Sequence, residues 1–279
     1  MVTVRGAVAA GVAALAVAMV GCDGETSQPI IDAGSERTGT RDLDGDTPGA
    51  DAAPRLLPHD GVTLPQMQLG VVYVGGPDAG GAPSEDSLIE TLVTSSYWLL
   101  LQEYGIGSGA VVGSTTVSTD QFFQDGDIDG GLVDILVMQT RVSQSLHGDV
   151  EAGVPATVTM PTAQAFVYLL PDGVNVALGQ RGNYTYQTCI DENGYHSDDG
   201  VEPYAVFPPC PAGRSWLAAS HELSEMATDP QPFKGWASDV DIPVNGGEVA
   251  DLCANDPATL DAGQVVSGLW SNHAGGCVP

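Results

Sequence analysis

The chain has 279 residues, of which 36 are acidic and 8 basic, and its formal net charge is −28 with a single lysine, Lys234. So few cations cannot neutralise a row of phosphates, which excludes nucleic acid as a partner, while an acidic surface keeps a protein soluble and attracts cations or basic substrates. The length allows one domain with a sizeable core.

Residues 1–21 carry one charge near the start, Arg5, then an apolar run from Ala7 to Val20 and small residues before Cys22. This is the pattern of a secretory signal, too short to serve as a comfortable membrane span. Met19-Val20-Gly21-Cys22 resembles a bacterial lipobox with Met19 in the usual leucine position. The resemblance implies that Cys22 is lipidated. It implies a protein exported to the cell envelope, on its periplasmic or outer side, that meets the membrane through a lipid anchor only. Residues 22–66 are rich in Gly, Asp, Pro, Thr and Ser without apolar periodicity, which predicts a disordered acidic tether. Residues 67–279 are then the globular domain.

Within that domain QLGVVYV (68–74) predicts a first strand and PSEDSLIETLVTSSYWLLLQEYG (83–105) a helix opened by Pro83 and Ser84 and stopped by Gly105. A strand over 109–118, a second helix from about Thr119, strands at FVYLLP and YAVFP, and a helix in RSWLAASHELSEMATDP (214–230) follow. The mixture indicates a single α/β or α+β domain with that last helix packed on a sheet. Beyond Cys22 there are four cysteines, Cys189, Cys210, Cys253 and Cys277. An oxidising compartment favours disulfides, and of three connectivities, sequence proximity favours Cys189–Cys210 and Cys253–Cys277. In DGDIDGG (125–131), Asp125, Asp127, Asp129 and Gly130 match the opening of a calcium loop. Leu136 at the twelfth position cannot ligate, so a solvated acidic turn is expected.

SHELSEMATDP (220–230) carries the chemistry. His221 and Glu225 are four apart, so on a helix they stack on one face and can share a metal ion. Glu222 lies about a quarter-turn away, positioned to act as general base on a metal-bound water. The plain alternative is an amphipathic helix whose His and Glu face solvent. The motif resembles the H-E-x-x-H of thermolysin-type zinc peptidases with Glu225 in place of the second histidine, and Thr228-Asp229 resembles their Thr-Asp step. Downstream EVAD resembles their later ligand segment. This resemblance implies His221, Glu225 and Glu248 as ligands, with Asp229 or Asp251 orienting His221. One histidine and two carboxylates suit Zn²⁺ but also Mn²⁺ or Ca²⁺.

Several segments together resemble secreted bacterial proteins related to the plant EXORDIUM, or phosphate-induced, family. They are SSYWLLLQEYGIGSG, GYHSDDG, YAVFP, SHELSEMATDP, GGEVADLC and LWSNHAGGC. The resemblance implies an extracellular domain with a zincin-like motif, and it singles out His196 as a further ligand or a proton donor. The expected function is an exported metal-dependent hydrolase, a zinc metallopeptidase, acting on peptide or a cell-surface polymer. The alternative is a non-catalytic surface binding protein with a structural metal or a degenerate peptidase site.

Overall fold

The computed structural model describes residues 54–76, 85–149, 152–181, 184–210, 216–232, 234–238, 247–260 and 263–278. The expected signal, Cys22 and the tether up to residue 53 lie outside the described residues, as do Pro83 and Ser84. No described helix is long and apolar enough to cross a membrane.

QLGVVYV forms strand β2 (Gln68–Val74), and its almost unbroken apolar character fits a central strand covered on both faces. It lies between β3 (Ala110–Val117) and β6 (Ala165–Leu169), parallel to both. Next to β6 comes parallel β10 (Pro203–Phe207), and β9 (Tyr195–Asp198) closes that edge antiparallel to β10. Alternation of side chains divides the interior in two. Leu69, Val71, Val167 and Ala205 face a core covered by α1 (Glu85–Thr94), a 3-10 helix at Trp98–Tyr104 and α4 (Trp216–Thr228). Val72, Phe166, Tyr168 and Val206 face a second core with α2 (Thr119–Phe122) and α3 (Ile135–His147).

A second sheet flanks that second core, in the order β4 (Ile128–Asp129), β5 (Leu132–Asp134), β7 (Asn175–Arg181) and β8 (Tyr184–Gln187). Two short pairs end the chain: β12 (Ala258–Thr259) with β13 (Val265–Val266), and β14 (Leu269–Ser271) with β15 (Gly276–Val278). The fold is a mixed one of helix and sheet in a single body, with α4 laid against β9 and β10. Both expected cysteine pairs are present: Cys189–Cys210 and Cys253–Cys277.

Four expectations change in detail. The helix read over 83–105 breaks after Thr94, where Thr94 Oγ1 donates to the Glu90 carbonyl and Ser95 Oγ to that of Leu92. Such back-bonding by Thr and Ser competes with helix continuation, and the chain re-forms as the tighter 3-10 segment. The helix expected from Thr119 is one turn, capped by Ser118 and Gln121, because Phe123 turns extended ahead of the acidic run. The longer helix is α3, which the periodic reading passed over although Ile135, Met138 and Val142 supply the buried stripe and the Asp134 side chain caps Leu136 N–H. Finally, residues 54–66 belong to the body. Leu56 is fully buried, and β1 (Leu57–Pro58) pairs antiparallel with β11 (Trp236–Ala237). Polar composition cannot register such anchoring, which rests on one leucine and backbone hydrogen bonds.

The Cys253–Cys277 bridge spans 24 residues and ties a second 3-10 turn, Asp251–Cys253, to β15. By loop-closure entropy its removal should cost about 3 to 4 kcal/mol. Urea unfolding of the Cys253→Ala/Cys277→Ala double variant should show that loss, and an unchanged midpoint would contradict it.

Candidate metal centre

Helix α4 is buried from Ala218 through Thr228, on every side. It therefore has no solvated polar face, and the reading of His221 and Glu225 as surface residues fails. Its hydroxyls are absorbed locally: Ser224 Oγ donates to the Ser220 carbonyl and Thr228 Oγ1 to that of Ser224. The charged side chains cannot be absorbed that way and need partners from elsewhere.

Helical spacing brings His221 Nε2 within 3.1 Å of Glu225 Oε2. The other oxygen, Glu225 Oε1, accepts from the backbone N–H groups of Ala250 (3.3 Å) and Asp251 (3.0 Å). The 3-10 turn Asp251–Cys253 is thus docked on the helix carboxylate, which sets Asp251 Oδ1 at 3.5 Å from His221 Nε2. On the far side of that imidazole, Ser267 Oγ stands 3.4 Å from Nδ1. Ser267 is itself fixed, since its N–H donates to Ser220 Oγ and its carbonyl accepts from the Tyr97 hydroxyl. Nothing in the sequence pattern marked Ser267 or Tyr97, because they belong to elements far apart along the chain.

The edge strand supplies the second histidine. Tyr195 and Ser197 alternate with His196, which pairs with Ala205 of β10 and so faces the α4 side of the sheet. His196 Nδ1 is 3.2 Å from Glu222 Oε2 and 3.8 Å from Glu225 Oε2, while its Nε2 is 3.8 Å from Glu248 Oε1. Glu248 therefore sits beside His196, and Asp251 is the carboxylate beside His221. Asp229 has another task. Its Oδ1 accepts from the N–H groups of Lys234 and Gly235, closing the turn after α4. A Cβ at Gly235 would stand 2.3 Å from the Thr228 carbonyl oxygen, so that turn requires glycine.

Of the six side chains, His196, Glu225 and Glu248 are 0% exposed and Glu222, Asp251 and His221 are 2%, 4% and 7%. Four carboxylates and two imidazoles in so dry a place hold an excess of negative charge, and buried charge persists only when paired or bound to a cation. Burial works against a protonated His221, yet the neighbouring Glu225 and Asp251 outweigh it and hold that imidazole well above its ordinary 6.5. The described residues form possible metal-ligand groups here: His221 with Glu225 and Asp251, and His196 with Glu222 and Glu225, the atoms of each group lying within 4.8 Å of one another. Imidazole nitrogen and carboxylate oxygen are the donors that Zn²⁺ and Mn²⁺ accept, so the residues fit such an ion.

Comparison with protein-family models, with curated proteins and with solved structures gave no match.

Other candidates resolve differently. Asp127 of the acidic run forms a two-pronged pair with Arg141, at 2.6 and 3.0 Å, which holds its carboxyl below the usual range. That carboxylate braces a turn against α3. His147 Nε2, at the end of α3, lies 3.0 Å from Asp199 Oδ2 and 2.9 Å from Glu202 Oε2. His59 approaches the Ala237 carbonyl, and the His273 N–H donates to Glu103.

Because the folded value of His221 lies above 6.5, the imidazolium contributes fully to the stability of the metal-free chain below that pH and the contribution fades as pH rises toward the raised value. In chelator, urea midpoints of wild type and His221→Gln should differ most near about pH 6 and draw together with rising pH. A difference that widens with pH would contradict a protonated His221.

Proposed function

We propose that the protein is an exported metal-dependent hydrolase of the metallopeptidase type, with His221, Glu225 and Asp251 as its ion-binding set. The observation that carries this reading is the convergence of those three side chains in a buried cluster beside a second acid-base pair, Glu222 and His196. Glu248, expected as the third ligand, becomes on this reading the partner of His196. The leader with its lipobox-like Cys22, together with two disulfides, supports export and lipid anchoring, since disulfides persist in oxidising compartments.

A bound divalent cation supplies an acidified water, with a pKa near about 7, and polarises an acyl carbonyl. The chain's own residues do the remainder. Glu222 takes the proton from the attacking water, and His196, with Nδ1 at 3.2 Å, holds that carboxylate and shares the proton. Ser267, at Nδ1 of His221, fixes the orientation of its ring and leaves Nε2, which Glu225 and Asp251 face, to the ion. A carboxylate-rich set would leave a metal-bound water less acidic than two histidines would. Zn²⁺ fits this chemistry, and Mn²⁺ is compatible with it.

The near-complete burial of the site supports a second reading, a closed structural ion in a cell-surface binding protein. Glu222→Gln separates the two. Against a pooled fluorogenic peptide library, the protein loaded with one equivalent of zinc should lose activity by a factor of about 10² or more in that variant, while still binding that equivalent. Activity unaltered by Glu222→Gln, or absent from the wild type loaded with one equivalent, would sink the hydrolase reading.

A further inference from the structure

We propose that this buried cluster takes two divalent cations, held by two donor sets that share the carboxylate of Glu225. One set is His221, Glu225 and Asp251, the other His196, Glu222 and Glu225. The proposal deepens the hydrolase reading and rests on its first ion set.

Three observations carry it. The first is the sharing of one atom. Both imidazoles approach Glu225 Oε2, His221 Nε2 at 3.1 Å and His196 Nδ1 at 3.8 Å, whereas Oε1 is engaged by the backbone N–H groups of Ala250 and Asp251. A carboxylate oxygen flanked by two nitrogen donors from different elements is placed to bridge. Among the described residues the two histidines fall into separate groups, each with its own second carboxylate.

The second is spacing. Donors about 2.0 to 2.1 Å from a tetrahedral ion stand about 3.3 Å from one another. In the first set His221 Nε2 is 3.1 Å from Glu225 and 3.5 Å from Asp251; in the second His196 Nδ1 is 3.2 Å from Glu222 and 3.8 Å from Glu225. In both sets the imidazole–carboxylate spacings bracket that value, and the atoms of each set lie within 4.8 Å of one another.

The third is charge. Glu222, Glu225, Glu248 and Asp251 are all buried. With neutral imidazoles, four carboxylates carry a charge of −4, which one divalent cation reduces only to −2 and two cancel. In an interior where uncompensated charge is costly, the second ion completes the neutralisation that the first begins. Glu248, 3.8 Å from His196 Nε2, adds its charge on the side of the second set. The second ion would occupy the Glu222 carboxylate that otherwise accepts a proton, so the one-ion form is the hydrolytic one and the two-ion form is held inactive.

The test is metal stoichiometry of the full chain, stripped with chelator and titrated with Zn²⁺ by calorimetry, with elemental analysis of the dialysed product. Wild type should bind two equivalents, the second about tenfold or more weaker. His196→Ala should keep only the first equivalent, and Asp251→Asn should weaken the first. Circular dichroism of each variant checks that it is folded. Two Mn²⁺ ions in wild type should give an exchange-coupled paramagnetic resonance spectrum, a readout that needs no variant. One equivalent in wild type would overturn the two-ion proposal and leave the single-ion hydrolase standing. No zinc at all would overturn both. Two equivalents that persist in His196→Ala, or two Mn²⁺ ions with uncoupled spectra, would overturn the shared-carboxylate arrangement.

Discussion

Negative charge placed in a dry interior has to be compensated, and in this protein the compensation is organised around one side chain. Glu225 turns one oxygen to two backbone N–H groups and the other to two imidazoles. Its helix, the 3-10 turn that follows Glu248 and the edge strand with His196 all meet at that carboxylate. If it were displaced, the turn would lose its anchor on α4, and His221 and His196 would lose the acid that faces both.

The sheet exists in a form that makes this meeting possible. Its central strands β2, β6 and β10 are apolar and buried on both faces, so helices must cover both, and α4 on one side becomes a fully buried element. A helix buried all round ordinarily has apolar residues all round. Here seryl and threonyl hydroxyls return to the helix backbone, and the acidic and imidazole groups are left to satisfy one another. The disulfide from Cys253, two residues after Asp251, restrains the turn that carries that ligand candidate. Gly235 allows the chain to double back against Thr228, where Asp229 caps the returning backbone.

Some of this was readable beforehand. The strand at 68–74 coincides with β2, the helix around SHELSEMATDP forms, and both cysteine pairs follow the nearest-neighbour choice. The i, i+4 spacing of His221 and Glu225 was enough to place them together. The reading was weaker where two local preferences compete, as at Thr94 and Ser95, where side-chain hydroxyls interrupt a helix whose apolar spacing continues. It also missed α3, whose buried stripe is sparse, and it extended the tether over residues that Leu56 and a two-residue strand pairing fix to the body.

The sequence by itself determined which residues have the chemistry: an acidic chain with one helix turn bearing His221, Glu222 and Glu225, and a later Glu248 and Asp251. Helical period is a local property, so contacts within that turn follow from spacing alone. Which carboxylate faces which imidazole was decided only by the tertiary structure. Strand pairing turned His196 toward α4, and the docking of the turn on Glu225 gave Asp251 to His221 and left Glu248 with His196. Those assignments depend on register and packing between segments separated by some 25 residues or more, as between Glu225 and Asp251, and such distances leave no periodic trace in the sequence.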